Sequence, residues 1–151
     1  MNKDKLIVSA HDLIQPDPQI ADEYSQKKEK LATRLIDNLG QRTDLDKLIG
    51  SDNRAMMKDN AYNMARFMES MFTQYDAAVF VETILWVFRA YRSHGFQLTF
   101  WSAHLNTWME VIQEELTEQS AGGILPFYEW IQTHIPVFTA LTDDNEGKIE
   151  P

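Results

Sequence analysis

The 151-residue sequence contains no cysteine. That absence excludes a disulfide scaffold, a thiolate zinc site, an iron–sulfur cluster and a cysteine nucleophile. Basic charge is scarce too: 14 Lys and Arg stand against 23 Asp and Glu, for a net charge of −9. A charge-driven hold on nucleic acid or on anionic lipid requires clustered cations that release counterions, so neither is expected as a partner. No run approaches the ~20 apolar residues of a membrane-spanning helix. In the opening MNKDKLIVSAHDLI, His11 and Asp12 cut the apolar stretch too short for a signal peptide. A soluble, acidic, cytoplasmic protein is expected.

Sustained strand alternation is also missing, whereas a 3.6-residue period runs through nearly the whole chain. The fold class expected is therefore all-α, a single bundle of about five to six helices. Residues 1–16 read as a polar N-terminal segment, 17–142 as the helical domain and 143–151 as an acidic flexible tail. Asp17 and Pro18 are placed to cap and open a first helix with Ile20, Tyr24, Leu31, Leu35 and Leu39 on one stripe, stopped at Gly40. A short second helix carries Leu45, Leu48 and Ile49 and ends at Gly50. Ser51 is the expected cap of a third, in which Met57, Ala61, Met64, Met68, Met71 and Tyr75 recur at spacings of four and three. Asp76 caps a fourth with a broad apolar arc, Val79, Phe80, Ile84, Val87, Phe88 and Tyr91, and His94-Gly95 ends it.

A fifth helix opens at Thr99 with Trp101, Leu105, Trp108, Ile112 and Leu116 in register, and fades into the Gln119–Gly123 stretch, read as a loop. The last starts near Pro126, and Pro136 must kink or interrupt it. Of the 17 aromatic residues only Tyr24 precedes position 62. The first helix is therefore expected to be an outer arm or a homodimer contact, and the later helices the packing core.

Catalytic signatures are missing as well. There is no Gly-rich phosphate loop, no G-x-S-x-G elbow, no H-E-x-x-H and no paired E-x-x-H, so no enzyme is expected. Four histidines are candidate ligands. His11 lies in the irregular start and reads as solvated, His94 suits the negative end of the fourth helix, and His134 can bond a carbonyl freed at the Pro136 kink. His104 lies between Trp101 and Trp108, and the i to i+4 spacing puts Trp108 on its side of the helix. A histidine among aromatics either sits hydrogen-bonded at the core margin or ligates a tetrapyrrole metal.

The methionine face reads first as core and otherwise as an adaptable wall for an apolar ligand, because unbranched thioethers repack easily. The candidate pocket set is Met64, Met68, Met71, Phe80, Ile84, Phe88, Trp101 and Trp108. Glu110, Glu114 and Glu118, four apart with Glu115 beside them, form an acidic ridge near a helix C-terminus, solvated or facing a basic protein partner. Residues 51–151 hold six cations and fourteen carboxylates, with no Lys or Arg between Arg92 and Lys148. Arg89 and Arg92 fit the end of the fourth helix as dipole partners. No metal site is advertised.

Three stretches, LIGSDNRAMMKDNAYNMARFMESMF (48–72), FVETILWVFRAYRSHGF (80–96) and WSAHLNTWMEVIQEEL (101–116), resemble helical sensor modules of bacterial signalling proteins. The likeness is to the globin-like N-terminal domains of stressosome sensors and to the helical bundles that precede cobalamin-binding domains. Its cue is an aromatic helix ending in Arg92-Ser93-His94-Gly95-Phe96 before another amphipathic helix. The resemblance implies a globin-like or related bundle that senses or relays a signal, often as a dimer. Ligands among such modules range from haem through apolar molecules to none. The functional expectation is a stand-alone bacterial sensory or regulatory module that acts through protein–protein interaction, with an apolar pocket. The alternatives are a haem-binding module with His104 or His94 as axial ligand, and an enzyme or carrier for an apolar molecule.

Overall fold

The computed structural model describes residues 1–143; the tail expected from position 143 lies outside them but for its first residue. The described residues form eight helices and no strand, an all-α bundle. They are α1 (Lys3–Ala10), α2 (Pro18–Gly40), α3 (Leu45–Ile49), α4 (Arg54–Thr73), α5 (Ala77–Ser93), α6 (Leu98–Glu115), α7 (Glu118–Thr133) and α8 (Ile135–Leu141).

Local signals explain why eight helices form rather than five or six. Asn2 caps α1 by accepting from Lys5 N at 2.9 Å, so the segment expected to be irregular is helical and buries Leu6 and Ala10 against the bundle. Thr117 caps α7 by accepting from Ser120 N at 3.2 Å, so the helix starts ahead of the Gly pair and runs through Pro126. Gln119–Gly123 is therefore helix, not loop. As expected, Pro136 divides the last stretch: α7 stops at Thr133 and Pro136 takes the first turn of α8, where its missing N–H is harmless. Asp76 caps α5, accepting from Val79 N at 3.0 Å. Asp17 precedes α2 without a side-chain cap, and Asn53 and Gln97, rather than Ser51 and Thr99, precede α4 and α6.

Helix α2 is the spine of the bundle, which overturns its reading as an outer arm. It packs along α4, α6 and α7, with Tyr24, Leu31, Ala32, Leu35 and Leu39 fully buried. Apart from Ile20 and Tyr24 its apolar stripe is leucine and alanine, which let neighbouring helices approach closely. A polar knot holds α2 to α7. The Glu23 carboxylate accepts from Thr117 N at 3.0 Å, from the Thr117 hydroxyl at 2.9 Å, from the Ser120 hydroxyl and from Lys27 Nζ at 3.0 Å. Partial burial alone would raise this carboxyl, but those donors outweigh it and bring its pKa from 4.5 to about 2. On the other side, α1 packs on α5 and α8 on α5, α6 and α7. Arg92 donates to Thr139 O at 2.9 Å and Arg89 to Leu141 O at 3.0 Å, so these cations hold the end of α8 onto α5.

The aromatic residues form two packed groups. Tyr24, Phe72, Phe127, Tyr75, Phe80 and Trp130 meet largely edge to face. Phe88 stacks on Trp101 at 4.6 Å, and Tyr91, Phe96, Phe100, His104 and Phe138 complete the second group. Although α4 and α5 follow one another in the chain, their backbones approach at few points, and a slot opens between them. No helix among the described residues is long and apolar enough to cross a membrane.

Candidate functional site

The outer part of the slot is a groove of about 240 Å³ between Asn60, Asn63, Met64 and Phe67 of α4 and Thr83, Trp86, Val87 and Tyr91 of α5. Beneath it, and sharing Met64, Phe67, Thr83 and Val87 as walls, lies an inner void of about 20 Å³ floored by Ile84, Phe88, Trp101, His104, Leu105 and Ile131. The void has room for about one water. No charged side chain lines either part. The surface facing the void is almost wholly carbon.

His104 is buried beneath the slot, with Phe100 and Trp101 within ring-contact distance. Its Nε2 accepts the indole N–H of Trp108 at 3.1 Å. Burial pulls its pKa down from 6.5 to about 3, so the ring is neutral. With Nε2 acting as acceptor, the proton belongs on Nδ1. That Nδ1–H has no partner. Two other buried side-chain atoms among the described residues share this condition, Trp101 Nε1 and Asn60 Oδ1. Asn60 bonds the Tyr91 side chain through the rest of its amide. Folded proteins satisfy the large majority of buried polar atoms, so each orphan calls for a cause. All three belong to residues that line this one slot.

The structure brings together half of the expected pocket set. Met64, Ile84, Phe88 and Trp101 line the slot with His104. Met68, Met71, Phe80 and Trp108 are buried in the core and do not line the slot. Sequence reasoning did not single out Asn60, Phe67, Thr83 or Trp86. Asn60 carried a usable signal: it falls on the buried stripe of α4, between Met57 and Met64, where a polar side chain is out of place.

The remaining histidines serve helix ends. His94 is exposed, and its Nδ1 bonds Ala90 O at 2.8 Å. His134 donates to Trp130 O at 2.7 Å and stacks on Trp130; that carbonyl also accepts from His134 N, so it is not one freed by Pro136, and the expected bond to a freed carbonyl is not what the ring makes. His11 is exposed at the end of α1.

The acidic ridge is not continuous. Helix α6 ends at Glu115, and Glu118 lies in the first turn of α7, where a carboxylate suits the dipole. Glu114 pairs with Arg34 at 2.9 Å, and Glu115 with both Arg34 and Lys30. The basic surface facing this part of the ridge is thus α2 of the same chain, while Glu110 is exposed.

The chain matches no family model, no curated protein and no solved structure among those compared. Among the described residues no group of three or more His, Asp or Glu is placed to hold a metal. Nor do the residues present fit a tetrapyrrole: the macrocycle is many times larger than the inner void, His104 Nε2 is committed to Trp108, and His94 lies outside the slot. An uncharged, carbon-lined slot suits a small apolar molecule better than an ion.

Proposed function

We propose that this chain is a regulatory module that takes a small, mostly apolar ligand in the α4–α5 slot and passes its state to a partner protein. The observation that carries the reading is an uncharged, almost wholly carbon-faced slot whose lining includes all three residues with an unmet buried polar atom, Asn60, Trp101 and His104. Trp86 supports the second half. It forms the outer wall of the slot and is 65% exposed, so an occupant changes the surroundings of a large aromatic side chain that another protein can grip. Helices α4 and α5 also have less backbone contact to break than the α2 interfaces, which suits a site that opens.

The methionine methyl groups provide the test. Toluene added to protein carrying ¹³C-labelled methionine methyls should shift the Met64 signal and leave Met57, which is buried and does not line the slot, unmoved. If Met64 does not respond to toluene at any concentration the fold tolerates, the slot is not a ligand site.

A further inference from the structure

We infer that the slot takes its ligand end-on, with a narrow, unbranched alkyl end in the inner void and an uncharged hydrogen-bonding head of the alcohol type in the outer groove. The inference rests on the slot being a ligand site and specifies the class and direction of its occupant. Burial gives the slot that direction. The residues that line only the void are all buried, the four shared by void and groove are half-buried, and Asn63 and Trp86 of the groove are exposed. Polarity follows the same course. The void surface is almost wholly carbon, so Trp101 and His104 turn ring carbon toward it and keep their nitrogens away. Polar surface returns in the groove, whose lining adds Asn60, Asn63 and Tyr91.

A space of about 20 Å³ has the size of one water, yet a buried water needs several polar partners and this surface supplies almost none. The terminal methyl of an alkyl chain is of similar size and needs none, so it is the better filling. Width is set where the two spaces meet, between Met64 and Phe67 of α4 and Thr83 and Val87 of α5. The unbranched Met64 side chain can shift for a slim chain, whereas a quaternary carbon would have to displace the packed floor. The head is then left in the groove, among an amide, a hydroxyl and a phenol from Asn63, Thr83 and Tyr91. Burial first, and the nearby Asp59 carboxylate besides, push the Tyr91 phenol above its usual range against the Asn60 hydrogen bond, so this end of the groove repels an anion. No Lys or Arg lines the groove, and Arg66 beside it donates to Asn63 Oδ1. A hydroxyl, which both donates and accepts, suits such neighbours better than a carboxylate.

Three six-carbon probes separate the possibilities: 1-hexanol, its isomer 3,3-dimethyl-1-butanol, whose chain ends in a tert-butyl group, and hexanoate, each titrated into the folded chain at neutral pH. The Met64 methyl reports occupancy, because Met64 lines both spaces. Ile84 lines only the void and Trp86 only the groove, so NOEs from the two ends of a bound probe to these side chains report its direction. The expected result is that the chain-end methyl of 1-hexanol contacts Ile84 and its carbinol CH2 contacts Trp86. 1-Hexanol should also bind about tenfold tighter than the branched isomer, and hexanoate more weakly than 1-hexanol. The opposite pattern of NOEs would overturn the direction, equal binding of the two alcohols the narrow alkyl end, and tightest binding by hexanoate the uncharged head; each of these leaves the slot a ligand site. A Met64 signal indifferent to all three probes would remove the ligand site itself, and the inference with it.

Discussion

Beneath the α4–α5 slot, His104 exchanges water for aromatic carbon and one hydrogen bond, and burial takes its pKa from 6.5 to about 3. The unfolded chain therefore takes up a proton on this residue near pH 6.5, while the folded chain resists until about pH 3. Between those values the unfolded state binds more protons, so stability falls as pH drops, with a slope approaching about 1.4 kcal/mol per unit from this one group. His104→Phe should cost stability at pH 7, because the Trp108 N–H loses its acceptor, a loss of about 1–3 kcal/mol. It should also remove the proton linkage, so the gap between variant and wild type narrows from pH 6.5 downward. Urea unfolding of both proteins at pH 7, 6 and 5 checks this; parallel pH dependences would mean that the imidazole is not buried in its neutral form. At this scale the sequence is informative where spacing decides: Trp108 four residues on is the hydrogen-bond partner of His104. That Nδ1 lacks a partner depends on how the bundle as a whole buries the ring, and no local pattern carries that information.

Caps and glycines set the helix boundaries, and here the sequence is read well in some places and poorly in others. Asp76 and Pro136 act as their chemistry suggests. Gly122 and Gly123 look like a loop because glycine is a poor helix former, yet the Thr117 cap starts α7 before them and packing on α2 carries the helix through. Gly123 has a packing reason: a Cβ there would lie 2.9 Å from Ile20 Cδ1, so α7 passes α2 closely at this point. Gly122 has nothing within 4 Å of the equivalent position. Gly122→Ala should therefore stabilise the protein by about 0.5–1 kcal/mol through helix propensity alone. In Gly123→Ala the same gain is offset by the displacement of Ile20, leaving stability unchanged or lower. Thermal melts of the two variants should rank G122A above wild type and G123A at or below it; the reverse order would argue against a helical, closely packed Gly pair.

The molecule as a whole is organised around α2, and periodicity could not reveal this. A 3.6-residue stripe shows which face of a helix is buried but not how many neighbours bury it, and the scarcity of aromatic residues before position 62 points the wrong way. Position in the bundle is decided by complementarity along the whole helix. Leucine and alanine line one side of α2, and on its margins Lys28 meets Glu69 of α4 while Lys30 and Arg34 meet Glu114 and Glu115 of α6. Acidity that looks like an invitation to a basic partner is thus partly answered within the fold, although exposed ion pairs of this kind add little to stability. The weight of the helix lies in its leucines. Leu35→Ala leaves a hole among α2 and its neighbours and should cost about 2–5 kcal/mol, whereas Val8→Ala on the exposed face of α1 should stay within about 0.5 kcal/mol of wild type. An outer arm would behave in the opposite manner, with Leu35→Ala as mild as a surface change. Urea midpoints for the two variants, with the denaturant dependence checked for constancy, separate a spine from an arm, and a Leu35→Ala cost as small as that of Val8→Ala would remove α2 from the centre of the bundle.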